Sequence, residues 1–130
     1  MGLFGIFGSG ESSKNSDDNT VTWKHLTSVE QLDAIEEMSA SKPVAIFKHS
    51  TRCGISSMAL RQFKNSFDIS EDELDMYYLD LLRYRKVSDE VAARFGVLHQ
   101  SPQLIVIKNG EVVHHASHHS ISFEQLSQLV

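Results

Sequence analysis

The chain has 130 residues, of which 41% are hydrophobic and 22% charged, and 12 basic against 17 acidic side chains leave a net charge of −5. This length suits one domain with one adequate core, and the acidic balance argues against a surface that coats nucleic acid. The single cysteine excludes internal disulfides and suits a reducing compartment, and no apolar stretch reaches the roughly 18 residues of a membrane span. We therefore expect a cytoplasmic protein.

The first twenty residues differ in composition from the rest. They hold four of the seven glycines, followed by a run of Ser, Asp and Asn with little to bury. We therefore expect a flexible tail over residues 1–20 and a folded domain over 21–130. The apolar start lacks the basic flank of a signal peptide, and Ile6 stands where a myristoylation motif needs Ser or Thr. Contact between this tail and a membrane is not expected.

From residue 21 onward, hydrophobic periodicity predicts alternating strands and helices. "TWKHL" predicts a short strand, and Ser28 with Gln31 three residues later predicts a capping box that opens a helix. One face of this helix is expected to be buried through Val29, Leu32, Ile35 and Met38. "KPVAIFKH" then predicts a buried strand, and "ISSMALRQFKNSF" predicts a second helix.

The same alternation continues to the end of the chain. "LDMYYLDLL" predicts a third strand, and "SDEVAARFGV" predicts a third helix capped by Ser88 and ended by Gly96. "PQLIVIKNGEVVHHA" predicts a hairpin with its turn at Asn109-Gly110, and Ser122 with Gln125 opens a final helix. The order βαβαβαββα predicts an α/β fold with a central mixed sheet and helices on both faces.

Cys53 lies just past the second predicted strand, at the start of the second predicted helix. Ligands gather at this end of such sheets. The unpaired N–H groups of the first helical turn favour a thiolate, and Lys48, His49 and Arg52 would add positive charge if they come close. Because the thiolate is the form that attacks disulfides, we interpret Cys53 as a nucleophile and not as an inert buried cysteine.

Several features together resemble the thioredoxin fold: the element order, a cysteine at the start of the second helix, and Ser101-Pro102 before the penultimate strand. The segments "FKHSTRCGIS" and "VLHQSPQLIVIKNGEVVHHASH" are similar to those of the monothiol bacilliredoxins, the bacillithiol system proteins of the YtxJ type. This resemblance covers residues 22–130. It implies a bacterial thiol-disulfide oxidoreductase with a thioredoxin-like fold.

The family resemblance also implies a reaction. Bacillithiol is the low-molecular-weight thiol that some bacteria use in place of glutathione, and it forms mixed disulfides with protein cysteines under oxidative stress. Cys53 would attack the bacillithiol sulfur, release the client protein, and be regenerated by a second thiol from solution. The implied partners are S-bacillithiolated client proteins and a low-molecular-weight thiol. Bacillithiol would be a co-substrate, no tightly bound cofactor is expected, and the protein would be a monomer.

The resemblance further assigns the substrate-binding residues, which are Thr51, Arg52, Gly54, Ser56, Ser101 and Pro102. Pro102 is implied to be the cis-proline of the fold, and Ser101 would present backbone groups to an extended substrate. Arg52 is a candidate for a bidentate contact with a malyl carboxylate of bacillithiol. Ser56 stands where dithiol proteins have their second cysteine, so it would exclude an internal disulfide.

Two departures from related patterns bear on the activity. Proline often follows the cysteine in the family, but Gly54 stands there in this chain. Dithiol thioredoxins have a proton-relaying aspartate six residues before the nucleophile, but Phe47 occupies that position. General disulfide reductase activity of the thioredoxin type is therefore not expected.

Other interpretations stay open. "CGIS" differs by one residue from the CGFS motif of monothiol glutaredoxins, which suggests an iron–sulfur cluster-binding or transfer module, and a non-catalytic thioredoxin-fold adaptor is a further alternative. The histidines of "HHASHH", residues 114–119, are potential metal ligands, but neighbours on a strand point to opposite faces. We expect exposed hairpin histidines and no metal site. Arg83 and Arg85 either help to bind an anionic substrate or lie in a solvated loop, and we expect the loop.

Overall fold

The computed structural model describes residues 21–130, which form a five-stranded mixed sheet covered by helices on both faces. The predicted flexible tail, residues 1–20, lies outside the described residues. The strands are β1 (Trp23–His25), β2 (Val44–His49), β3 (Asp75–Asp80), β4 (Gln103–Lys108) and β5 (Glu111–Ser117). The helices are α1 (Glu30–Met38), α2 (Gly54–Ser66), α3 (Arg85–Phe95) and α4 (Phe123–Ser127), with a 3-10 turn at His118–Ser120.

The sheet has the strand order β1-β3-β2-β4-β5, in which β1, β3 and β2 run parallel and β4 and β5 join antiparallel. The central strand β2 is buried along its whole length. Its Val44 and Ile46 pack with α1 and α3 on one face, and its Ala45 and Phe47 pack with α2 and α4 on the other. The predicted α/β architecture is therefore confirmed.

Three local sequence signals adopt the predicted conformations. Asn109 and Gly110 both have positive φ, 54° and 76°, as a tight hairpin turn between twisted strands requires. Gly96 ends α3 in the left-handed conformation with φ 66°. The Ser122 hydroxyl accepts a hydrogen bond from the Gln125 N–H at 3.4 Å and so caps α4.

The prediction that Ser88 caps the third helix is wrong. Helix α3 begins at Arg85, and Ser88 is buried in its first turn. The earlier start places Val87 and Val91, four residues apart, on one face in the core shared with α1. Burial of Val87 therefore outweighs the capping preference of serine.

The predicted capping box of α1 forms only in part. The Gln31 Oε1 accepts from the backbone N–H groups of Thr27 at 2.7 Å and Ser28 at 3.0 Å, but the helix is preceded by Val29 and has no side-chain cap. On the predicted buried face of α1, Leu32 and Ile35 are fully buried, whereas Met38 is 37% exposed at the end of the helix. Within residues 21–130, none of the helices is long and apolar enough to cross a bilayer.

Candidate active site

Cys53 occupies the position immediately before α2. Its C=O accepts from the Ser57 N–H at 3.0 Å, and its N–H donates to the Ser50 C=O at 3.2 Å. The residue has extended backbone angles and a half-buried side chain. The first N–H groups of α2 have no intrahelical acceptor, so they present partial positive charge at the end of the helix where Cys53 lies. The structure thus places the only cysteine where the sequence predicted it.

Ser56 is fully buried, and its hydroxyl holds the loop that carries Cys53. The Ser50 N–H donates to the Ser56 Oγ at 3.1 Å, and this Oγ lies 2.7 Å from the His49 Nδ1. A hydroxyl that is engaged on both sides and shielded from solvent has no free position for a substrate. We expected Ser56 to bind substrate directly, but its buried hydroxyl instead holds the Cys53 loop in position.

Lys48 and His49 do not bring the expected positive charge to the side of the sheet where Cys53 lies. Burial lowers the pKa of His49, so its imidazole is neutral near pH 7 and its Nδ1 can accept the Ser56 hydroxyl proton. Lys48 lies on the opposite face of β2, with its Nζ 3.2 Å from the His99 Nδ1 and 3.4 Å from the Ser88 C=O. Burial lowers the pKa of Lys48 to about 8. This partly buried contact between Lys48 and His99 was missed from the sequence, although strand alternation places Lys48 on the same face as Ile46.

The Ser101-Pro102 peptide bond is cis, as the family resemblance implied. The next residue, Gln103, pairs with Lys48 in the β2–β4 register, so this proline loop lies at the same end of the sheet as the Cys53 loop. The Pro102 C=O accepts from the His118 N–H at 3.1 Å, which ties the loop to the end of β5. Among the described residues, no backbone group bonds to the N–H or C=O of Ser101, so both are available to an extended chain.

A polar groove borders the Cys53 loop on the β3 side. This open cavity of about 430 Å³ is lined by Thr51, Arg52, Asp80, Leu82 and Arg83. The loop after β3 is held beside the Cys53 loop because the Leu81 N–H donates to the His49 C=O at 3.1 Å. Arg83, which we expected in a solvated loop, is exposed but shares a groove with Arg52. Arg85, by contrast, lies in the first turn of α3 outside this groove.

An apolar surface borders Cys53 on the other side. Ile55 and Met58 of α2 are each 49% exposed. Together with His118, His119 and Ile121 they line a smaller cavity of about 80 Å³. Met58 remains at the surface because Phe63 and Phe67 fill the core on this side of the sheet.

The histidine cluster is mostly exposed, as expected. His115, His118 and His119 are exposed, whereas His114 is half-buried and burial lowers its pKa. Within residues 21–130, no three His, Cys, Asp or Glu side chains come together in a way that would hold a metal ion. The described residues thus add no support to the metal-binding interpretation.

Comparison with known proteins identifies a family and a fold that this chain resembles. Residues 24–126 match the family model for monothiol bacilliredoxin BrxC. A solved structure described as a candidate oxidoreductase with a thioredoxin fold is 35% identical, with a TM-score of 0.69 over 82% of this chain and 91% of that one.

Two solved thioredoxins also match this chain. The one from Malassezia sympodialis is 19% identical, with a TM-score of 0.63 over 85% of this chain and 88% of its own. A thioredoxin pre-protein from Schistosoma mansoni is 20% identical, with a TM-score of 0.60 over 82% and 93%. At this identity the two thioredoxins show the fold alone, and the predicted thioredoxin-like fold is confirmed.

Proposed function

This chain belongs to the monothiol bacilliredoxin family, and from that premise we propose that it removes bacillithiol from mixed disulfides on oxidised proteins, with Cys53 as the nucleophile. The family and the thioredoxin fold support a thiol-disulfide redox function. The observation that carries the proposal is a half-exposed cysteine at the start of α2, beside a cis-proline loop and without a second cysteine in the chain.

The proposed reaction consists of two thiol-disulfide exchanges. In the first, the Cys53 thiolate attacks the bacillithiol sulfur of the mixed disulfide. A new S–S bond joins Cys53 to bacillithiol, the old S–S bond breaks, and the client cysteine leaves as a thiolate. In the second, a free bacillithiol thiolate attacks the bacillithiol sulfur bound to Cys53, which restores the Cys53 thiolate and yields bacillithiol disulfide. Free bacillithiol is thereby oxidised and the client cysteine is reduced.

Ser56 supports the one-cysteine form of this chemistry. In a dithiol protein the residue at this position would attack the mixed disulfide from within the chain. Here the position holds a buried hydroxyl bonded to His49 and Ser50, so the attacking thiol in the second step must come from solution. The proposed partners are accordingly S-bacillithiolated client proteins and a low-molecular-weight thiol. We place the reaction in the cytoplasm, where thiols are kept reduced.

The proline loop and the apolar surface support a binding role toward the client protein. An extended client segment would pair with the free backbone groups of Ser101, as an added strand does at a sheet edge. Ile55 and Met58 would cover apolar side chains of that segment. Thr51 and Gly54, exposed on either side of Cys53, leave the approach to the sulfur open.

Intact-mass analysis tests the proposal. The purified protein is incubated with a bacillithiolated model protein, and Cys53→Ser is run in parallel. We expect the wild type to gain the mass of one bacillithiol while the substrate loses it, and the variant to do neither. Transfer from a glutathionylated substrate alone would retain the exchange chemistry but refute bacillithiol as co-substrate. No transfer from either, together with visible absorbance after anaerobic purification, would favour the iron–sulfur alternative.

A further inference from the structure

The polar groove on the β3 side of Cys53 combines positive and negative charge within one cavity. Arg52 precedes the nucleophile in the chain, and Arg83 enters from the loop after β3. Asp80 lies between the two loops, and its Oδ1 accepts from the Arg83 N–H at 3.3 Å. In the parallel register of β2 and β3, Asp80 is the partner of His49, four residues before Cys53. The groove therefore borders the Cys53 loop at Thr51 and Arg52 and extends along the end of β3.

The groove continues toward the end of β1. A neighbouring cavity of about 310 Å³ shares Asp80 and Arg83 with it and is further lined by His25, Leu26, Thr27, Tyr78 and Tyr84. The Arg83 guanidinium carbon lies 5.6 Å from the centroid of the Tyr84 ring, a contact that favours one orientation of the exposed arginine. The two cavities together offer room for a ligand of the size of a small glycoside.

We propose that this groove binds the non-cysteinyl part of the low-molecular-weight thiol, with Arg52 and Arg83 holding its dicarboxylate end. This inference rests on the proposed function and deepens it. Bacillithiol is a cysteinyl glucosamine joined to malate, so it carries an ammonium close to its sulfur and two carboxylates at its far end. Guanidinium groups bind carboxylates in a bidentate manner, and Asp80 provides the opposite charge for the ammonium. Arg83, which the sequence favoured as a solvated loop residue, is thus the specificity-determining residue.

The surfaces on the two sides of Cys53 explain why the small thiol is assigned to this side. A mixed disulfide brings two different halves to one sulfur, a protein chain and a small charged molecule. The cis-proline side carries free backbone groups at Ser101 and the exposed apolar side chains of Ile55 and Met58, which suit a protein chain. The β3 side carries Arg52, Arg83 and Asp80, which suit a charged small molecule.

The test compares two leaving groups on the same model protein: bacillithiol, and its analogue without the malyl group, cysteinyl glucosamine. Single-turnover transfer to Cys53 is followed by quenched intact-mass analysis for the wild type, Arg83→Ala and Arg52→Ala. Arg61→Ala is the matched control, because Arg61 is also exposed and its replacement removes the same charge from the middle of α2. Urea unfolding of each variant verifies that the domain is intact.

We expect the wild type to take bacillithiol about tenfold faster than the analogue, because the arginine–carboxylate pairs are charge-assisted but partly solvated. Arg83→Ala should bring this ratio close to one by slowing transfer from bacillithiol more than transfer from the analogue, and Arg61→Ala should preserve the ratio. Higher salt should reduce the preference of the wild type.

Two results would overturn the inference and leave the proposed function intact. One is equal transfer rates for bacillithiol and its analogue in the wild type. The other is an Arg83→Ala variant that slows both substrates to the same extent, since this would indicate a structural role. The absence of transfer from every substrate would instead overturn the proposed function, and this inference with it.

Discussion

Replacing the buried Ser56 with alanine tests how the Cys53 loop is held. The change removes one acceptor for the Ser50 N–H, at 3.1 Å, and one hydrogen-bond partner of the His49 Nδ1, at 2.7 Å. Ser56 is 0% exposed, so water cannot readily replace the lost hydroxyl. A buried polar group without a partner costs about 1–3 kcal/mol. Because the two contacts share one oxygen and are not independent, we expect Ser56→Ala to lower the free energy of unfolding by about 2–3 kcal/mol.

Urea unfolding, followed by circular dichroism, measures this loss. Ser57→Ala is the matched control: it lies on the same helix, is only half-buried, and makes no side-chain hydrogen bond within the described part of the chain. The control should stay within about 0.5 kcal/mol of the wild type. Because Ser50 also accepts the Cys53 N–H, Ser56→Ala should in addition slow thiol transfer several-fold. Equal unfolding free energies for Ser56→Ala and Ser57→Ala would refute the reasoning.

Two further predictions concern Lys48 and the glycines. Burial lowers the pKa of Lys48 from 10.5 to about 8. At pH values between these two, Lys48 is protonated in the unfolded chain and largely deprotonated in the folded chain, so the free energy of unfolding rises with pH. Relative to Lys48→Met, the wild type should gain about 2 kcal/mol of unfolding free energy from pH 8 to pH 10. Urea unfolding measures both proteins at each pH, and a difference between them that does not change with pH would contradict the prediction. Gly110→Ala should cost about 1 kcal/mol because φ is +76°. Gly54→Ala, with no atom within 4 Å of the added methyl group, should stabilise α2 or leave it unchanged, and thermal unfolding of both variants measures the contrast.

Much of the fold was predictable because its signals are local. A short continuous apolar run marks the buried strand β2, and apolar residues recur at helical spacing in α1. The pair Asn109-Gly110 marks the hairpin turn because both residue types tolerate the positive φ angles that the turn requires. The boundaries of α3 were not predictable in the same way. A serine followed by acidic residues favours a helix that begins at Ser88. The helix begins at Arg85 instead, because Val87 packs in the core against residues that are distant in the sequence.

The sequence by itself indicated the candidate reactive centre: a lone Cys53 between a buried strand and a helix, together with a proline that the family resemblance implied to be cis. The tertiary structure alone decided which neighbours act on that centre. It buried Ser56 beneath the loop, turned Lys48 to the opposite face of the sheet, and brought Arg83 beside Arg52. The physical reason is that backbone preferences depend on adjacent residues, whereas the contacts of a side chain depend on strand register and on packing between segments distant in the chain.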